Sequence, residues 1–218
     1  MARRIAMPDK TPPPQQYVWG NIAKDMRMEE GGKKILDVGP GKTLFAGMMA
    51  SWGNEVTVVD RLPQILQFQA RIIHGNKIYW SLQLSDGEEL PFKDRSFEII
   101  TACWSVANIE NSEESDMISY RELFRVASKM IFTVVNFSAQ GGVRQSQYSG
   151  RERVYNLETL EERILKLGRL DGWLVDRVSF FRDDGAQVNH HFTKESRRQY
   201  HKDRHGPADH ALIVFRRD

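Results

Sequence analysis

Short apolar runs alternate along this chain with segments of helical period. Lys34-Ile35-Leu36-Asp37-Val38 is a compact apolar run that stops at Gly39-Pro40-Gly41, the pattern of a buried strand entering a turn. Residues 43–52 follow with Leu44, Phe45, Met48 and Met49 at helical spacing, and Gly53-Asn54 ends that helix. Residues 55–60 are rich in β-branched side chains and read as a second strand. A helix over 62–73 and a third strand over 77–84 come next. A fourth strand is predicted over 98–103, a helix over 113–127 and a fifth strand over 130–135. Beyond them the pattern gives a helix over 157–167 and late strands over 173–181 and 211–215. Before this series, residues 1–16 read as an irregular proline-bearing arm, and 17–28 as a short helix able to fold over a pocket.

Strand and helix thus alternate through five strands, which implies parallel strands joined by right-handed crossovers. A finish in β structure implies an antiparallel late strand at the sheet's edge. The expected fold is α/β, a Rossmann-like doubly wound sheet of seven strands, mostly parallel. Residues 1–30 form an arm and helix, and 31–218 one domain with an insertion at about 182–209 between the last two strands. The 218 residues suffice for one such domain. A net charge of +2 is too small to call for a nucleic acid or a membrane surface. The single cysteine, Cys103, allows neither an intramolecular disulfide nor a cysteine metal cluster, so no metal is expected. No apolar run approaches the roughly 18 residues of a membrane span. A cytoplasmic protein is the expectation.

The chemistry begins at the glycine turn. Gly39 and Gly41 let backbone approach a ligand without a Cβ in the way, and a helix start just beyond offers free amide donors. Asp60 ends the second strand about 20 residues on, where a carboxylate can accept from a ribose diol. Asp86 and Gly87 follow the third strand, where a carboxylate can accept from an adenine amino group. Two nucleotide readings fail on spacing. Gly41-Lys42-Thr43 supplies the end of a phosphate-binding loop, but Leu36 stands at its first glycine. The dinucleotide fingerprint fails at its third glycine, where Leu44 stands. A nucleoside ligand without phosphates fits the close turn best.

The segments ILDVGPGKTLFAGMMASWGNEVTVVD and DGEELPFKDRSFEIITACWSVANIE resemble class I S-adenosylmethionine-dependent methyltransferases of the UbiE-like, type 11 group. The resemblance covers roughly residues 33–136. It implies S-adenosylmethionine as cofactor, with Gly39 and Gly41 at its methionine end, Asp60 on the ribose and Asp37 also among the cofactor-binding residues. It also implies Leu62 beside the adenine, Asp86 and Gly87 at the adenine edge, and Cys103 and Trp104 near the methionine moiety. Thr43 stands where the group often has a third glycine.

Candidates for the catalytic chemistry are weaker. His190, His191 and Tyr148 could supply a base or reach an acceptor, although adjacent histidines on an extended stretch face opposite ways. Cys103 reads as a buried thiol. Cys103-Trp104-Ser105-Val106 replaces the Asn-Pro-Pro-Tyr type of motif used on exocyclic base amines. Tyr17 and Trp19 could cover a pocket or simply pack. The leading expectation is methyl transfer to a small molecule. A non-catalytic adenosylmethionine-binding protein stays open, as does an RNA or protein methyltransferase using the basic segment 194–205. Residues 182–209 are expected to help form the acceptor site or an oligomer contact. Acceptor atom and oligomeric state are not encoded in any motif.

Overall fold

A computed structural model describes residues 11–27, 30–73, 80–84, 89–107, 112–146, 150–166, 172–189 and 208–217. The alternation read from the sequence is borne out. Helix α1 (Pro13–Asp25) leads into β1 (Lys34–Val38), α2 (Phe45–Ser51), β2 (Glu55–Asp60), α3 (Pro63–Ile73) and β3 (Trp80–Leu84). Then come β4 (Phe97–Cys103), α4 (Ser115–Val126), β5 (Ala127–Asn136), β6 (Gly142–Ser146) and β7 (Gly150–Val154). The chain continues through α5 (Leu157–Leu160), β8 (Trp173–Phe181), β9 (Gln187–Asn189) and β10 (His210–Arg217).

Eight strands form one sheet in the order β3-β2-β1-β4-β5-β10-β8-β9. Strands β3, β2, β1, β4 and β5 are parallel neighbours, and β10 is antiparallel to both β5 and β8. The seven expected strands are present, extended by the three-residue β9. The antiparallel strand is not at the edge, as the sequence suggested: β10 lies inside the sheet, between β5 and β8.

Both faces of the sheet are covered because successive strand residues point to opposite sides. Leu36, Ile100, Ile131, Ala211 and Ile213 pack with Tyr120 and Leu123 of α4 and Leu160 of α5. Ile35, Ile99, Phe132, Leu212 and Val214 pack with Val18 and Ile22 of α1 and Met48 and Met49 of α2. Each such side chain, sealed from water, contributes about 1.5–3 kcal/mol.

Several boundaries differ from expectation, each for a local reason. Helix α1 starts at Pro13, inside the supposed arm, because proline's fixed φ and missing amide suit a first helical turn. Helix α2 starts at Phe45, so a turn separates the glycines from the helix; Leu44, at the helix boundary, has no side chain able to cap it. The helix expected over 157–167 is one α-turn with an Asn156–Thr159 capping box, continued by a π-helical turn at Glu161–Leu165.

Between β5 and α5, where the pattern gives no element, the chain forms a β-hairpin, β6–β7. Its strands are polar on both faces, so no period betrays them. Charge pairs, one across the hairpin and one to a distant helix, fix it instead. Arg144 lies opposite Glu152 in the ladder, and Arg153 reaches across to Asp116 of α4.

Candidate functional site

The carboxyl ends of the parallel strands open into a cavity of about 650 Å³. Its floor is the turn after β1. Gly39 and Gly41 both hold left-handed backbone, with φ of 64° and 58°. A Cβ on Gly39 would stand 2.5 Å from Ser105 Cβ, whereas one on Gly41 would meet open space. The first glycine therefore serves close packing and the second leaves room. The Gly39 amide donates to the Val59 carbonyl at 2.8 Å, tying the turn to β2. Gln69 of α3, fully buried, donates from its amide to the carbonyls of Gly41 (2.7 Å) and Thr43 (3.0 Å). No local motif pointed to Gln69. It fastens the turn at Thr43, where the methyltransferase group that the sequence resembles often has a third glycine.

The two acids of this half have different surroundings. Asp37 is buried beneath the turn. Thr101 Oγ1 donates to its Oδ1 at 2.7 Å, and its Oδ2 has no partner among the described residues. Burial, opposed by that hydrogen bond and assisted by the Asp60 charge, pushes its pKa up to about 7. Asp60 lines the cavity itself and accepts from the Leu62 amide at 2.8 Å. Burial raises its pKa, and the backbone amides of Leu62, Gly41 and Arg61, with the Arg61 charge, oppose the rise. Leu62 and Ile65 supply an apolar wall beside it.

Past β4, Cys103, Trp104 and Ser105 carry the lining onward. The Cys103 thiol is driven well above its ordinary range, first by burial and then by the Asp37 carboxylate, and so stays protonated. Trp104 is one of three non-glycine residues with positive φ among the described residues, at 56°. Its backbone amide holds the Val134 carbonyl at 2.8 Å, and its indole donates to His210 Nδ1 at 3.1 Å. An indole can only donate, so Nδ1 accepts and His210 Nε2 carries the proton toward Asp183 Oδ1, 2.8 Å away. Burial lowers the His210 pKa against the pull of Asp183, keeping the ring neutral at pH 7.

The far wall comes from β5 and the hairpin. Asn136, Arg144, Ser146 and Glu152 line it. Glu152 Oε2 takes Arg144 Nε at 3.1 Å and Asn136 Nδ2 at 3.3 Å. Pro14 and Gln15 of α1 complete the lining. Of the suggested lid residues, Trp19 stacks on Phe45 in the core and Tyr17 packs on Phe181; both are packing residues.

Six sequence-predicted positions thus line one cavity: Gly39, Gly41, Asp60, Leu62, Cys103 and Trp104, with Asp37 directly below. Asp86, Gly87, Tyr148, His190 and His191 lie outside the described residues, as does the basic segment 194–205. The sequence reading missed Gln69, Asn136, Glu152, Asp183 and His210. Among the described residues no helix is long and apolar enough to cross a membrane, and no group of His, Cys, Asp and Glu could hold a metal ion.

Comparison with known proteins agrees with the resemblance read from the sequence. Residues 36–129 match the family of the methyltransferase domain. A malonyl-[acyl-carrier protein] O-methyltransferase of Erwinia billingiae is 38% identical over 98 residues, 44% of this chain and 36% of that protein. The chain therefore spans well under half of the length of that relative. Among solved structures, an S-adenosylmethionine-dependent methyltransferase from Mesorhizobium loti superposes with a TM-score of 0.62 at 15% identity, over 92% of this chain and 98% of that one. The [4+2]-cyclase SpnF superposes with a TM-score of 0.65 at 17% identity, over 91% of this chain and 79% of that one. These structures share the fold; one fold can carry different reactions.

Proposed function

We propose that this chain, which carries a class I methyltransferase domain of the UbiE-like kind, transfers a methyl group from S-adenosylmethionine to a small molecule. The observation that carries the proposal is the single cavity in which the glycine turn, the Asp60 carboxylate and the Leu62–Ile65 wall meet. A carboxylate has about four acceptor sites, so Asp60 keeps capacity for a ribose diol beyond its backbone donors. Leu62 and Ile65 suit an adenine face, and Asp86 and Gly87 are assigned to the adenine edge. Gly41, with open space above it, admits the methionine chain. The unpartnered Asp37 Oδ2 suits a cationic donor at the cavity floor, and Cys103 and Trp104 border the methionine end.

S-adenosylmethionine supplies a methyl carbon made electrophilic by its sulfonium. The protein's work is to orient the acceptor and exclude water. Pro14 and Gln15 complete the cavity lining, and Trp104, held by His210, fixes the wall between cofactor and acceptor. His190, His191 and Tyr148 remain assigned as candidates for proton transfer. The domain is assigned to 31–218, with 182–209 contributing Asp183 to the acceptor side. A lone thiol suits the reducing cytoplasm.

A second reading, a cofactor-binding protein without methyl transfer, draws on His210, whose two ring nitrogens are both engaged, and on the cyclase that shares the fold. Calorimetry with S-adenosylmethionine and S-adenosylhomocysteine, followed by assay of S-adenosylhomocysteine release, separates the readings. Binding lost in Asp60→Ala together with acceptor-dependent release supports transfer. Binding without release on any acceptor class supports the second, and no binding refutes both. An RNA acceptor would show as steeply salt-dependent retention of nucleic acid.

A further inference from the structure

Three buried polar atoms without partners among the described residues belong to side chains in or under the cavity: Asp37 Oδ2, Ser105 Oγ and Asn136 Oδ1. Asp37 belongs to the cofactor half. Ser105 packs against the glycine turn at the border of that half, and Asn136 lies farther along the sheet. Asn136 ends β5 and faces His210 across the β5–β10 ladder. Neighbouring strands are about 4.8 Å apart, so the end of β5 stands roughly 10 Å from the glycine turn of β1, two strands away. That distance puts Asn136 beyond the methionine end.

The Asn136 amide has a defined orientation. Its Nδ2 donates to Glu152 Oε2, and turning it over would set Oδ1 against that carboxylate. Oδ1 is therefore an acceptor, on a residue only 3% exposed. A buried acceptor left without a donor costs about 1–3 kcal/mol. On this wall the charge is acidic or neutral, and the cavity's Lys42 and Arg61 belong to the segments after β1 and β2. Arg144 is held by Glu152, Asp183 by His210, and His210 is neutral near pH 7.

We infer that the acceptor enters as a hydroxyl or amine, its O–H or N–H donated to Asn136 Oδ1 and steadied by Ser105 Oγ, and that this wall rejects carboxylates. Asn136 is then the specificity-determining residue, and Glu152 positions it. The inference rests on the proposed methyl transfer. The lone pair of the acceptor's oxygen or nitrogen forms the bond to the methyl carbon as the carbon–sulfur bond breaks toward sulfur; Asn136 Oδ1 orients the proton without taking it, and the methylated product gives it up to water.

The test uses saturation-transfer NMR on protein saturated with S-adenosylhomocysteine. The probes are pairs matched in shape: phenol with benzoate, and cyclohexylamine with cyclohexanecarboxylate. Phenol or cyclohexylamine should bind and the acids should not. Asn136→Leu should weaken the donor probe roughly five- to tenfold, the worth of one neutral hydrogen bond, with S-adenosylhomocysteine affinity unchanged. Ser105→Ala, whose hydroxyl has no partner among the described residues, should weaken it in the same direction and guards against misfolding of the first variant. Acids binding as well as donors, no probe binding, or both variants leaving the donor probe unaffected overturns the inference while cofactor binding stands. Failure of the unaltered chain to bind S-adenosylhomocysteine overturns the proposed function and this inference with it.

Discussion

The two halves of the cavity are built by different means. Over β2, β1 and β4 the working parts are backbone conformation and strand-end acids: Gly39, Gly41, Asp60 and the turn they shape. Over β5 and β10 they are side chains brought together from far apart, with Trp104 reaching His210 and Asn136 reaching Glu152. Chemistry carried by local backbone geometry leaves a contiguous signature in a sequence. Chemistry assembled by tertiary contact leaves scattered polar residues that resemble any solvated loop.

The sharpest way to break the comparison is to remove the scaffold of the second half alone. Asp116 is fully buried and holds Arg153, Arg163 and Tyr155, at 2.9, 2.7 and 2.6 Å. Asp116→Ala removes the buried partner of two guanidinium groups, which keep only the more exposed Glu113 and Glu114, and should cost about 3 kcal/mol, read by denaturant unfolding. Burial pushes the Asp116 pKa up, but hydrogen bonds from Arg163 and Tyr155 and the charges of Arg163 and Arg153 carry it below its ordinary value. Its contribution is present above about pH 3.9 and fades as acid protonates it. The wild-type minus Asp116→Ala difference should shrink below that pH.

Gly39→Ala should cost about 2–3 kcal/mol, from left-handed strain and the collision with Ser105, while Gly41→Ala should cost only the strain, about 1–2 kcal/mol. Equal losses in thermal unfolding would erase the division of labour between the two glycines. Asp60→Ala should weaken S-adenosylhomocysteine about 10–100-fold, the range for a charged hydrogen-bond acceptor, with unfolding nearly unchanged. The last effect is read as a slope. The Asp37 pKa of about 7 when folded, against ~3.9 unfolded, means the folded state holds the extra proton between these values. Stability should therefore fall as pH rises from about 4 to about 7, and Asp37→Asn should flatten that decline.

The sequence made the first half legible for the same physical reason. Lys34–Val38, Glu55–Asp60 and Trp173–Phe181 emerge as strands at the boundaries their residues predicted, because buried strands must be apolar. The β6–β7 hairpin was missed because GVRQS and GRERV carry no alternation to read. Gln69 was missed because its partners are carbonyls, which have no residue identity. His210 was overlooked in favour of His190 and His191, since its value comes from Trp104 and Asp183, 106 and 27 residues away in the chain.

The placement of β10 has a consequence for how the molecule comes into being. Within the sheet, β8 and β9 reach the parallel strands only through β10, which is synthesised after both. On the ribosome, the segment through β5 can assemble in order, each strand docking on one already made. A chain paused before residue 210 leaves β8 paired only with β9, and the wall that carries His210 does not yet exist. Cofactor affinity should thus arise earlier in biosynthesis than acceptor selectivity, which appears only when the late strand slides into place.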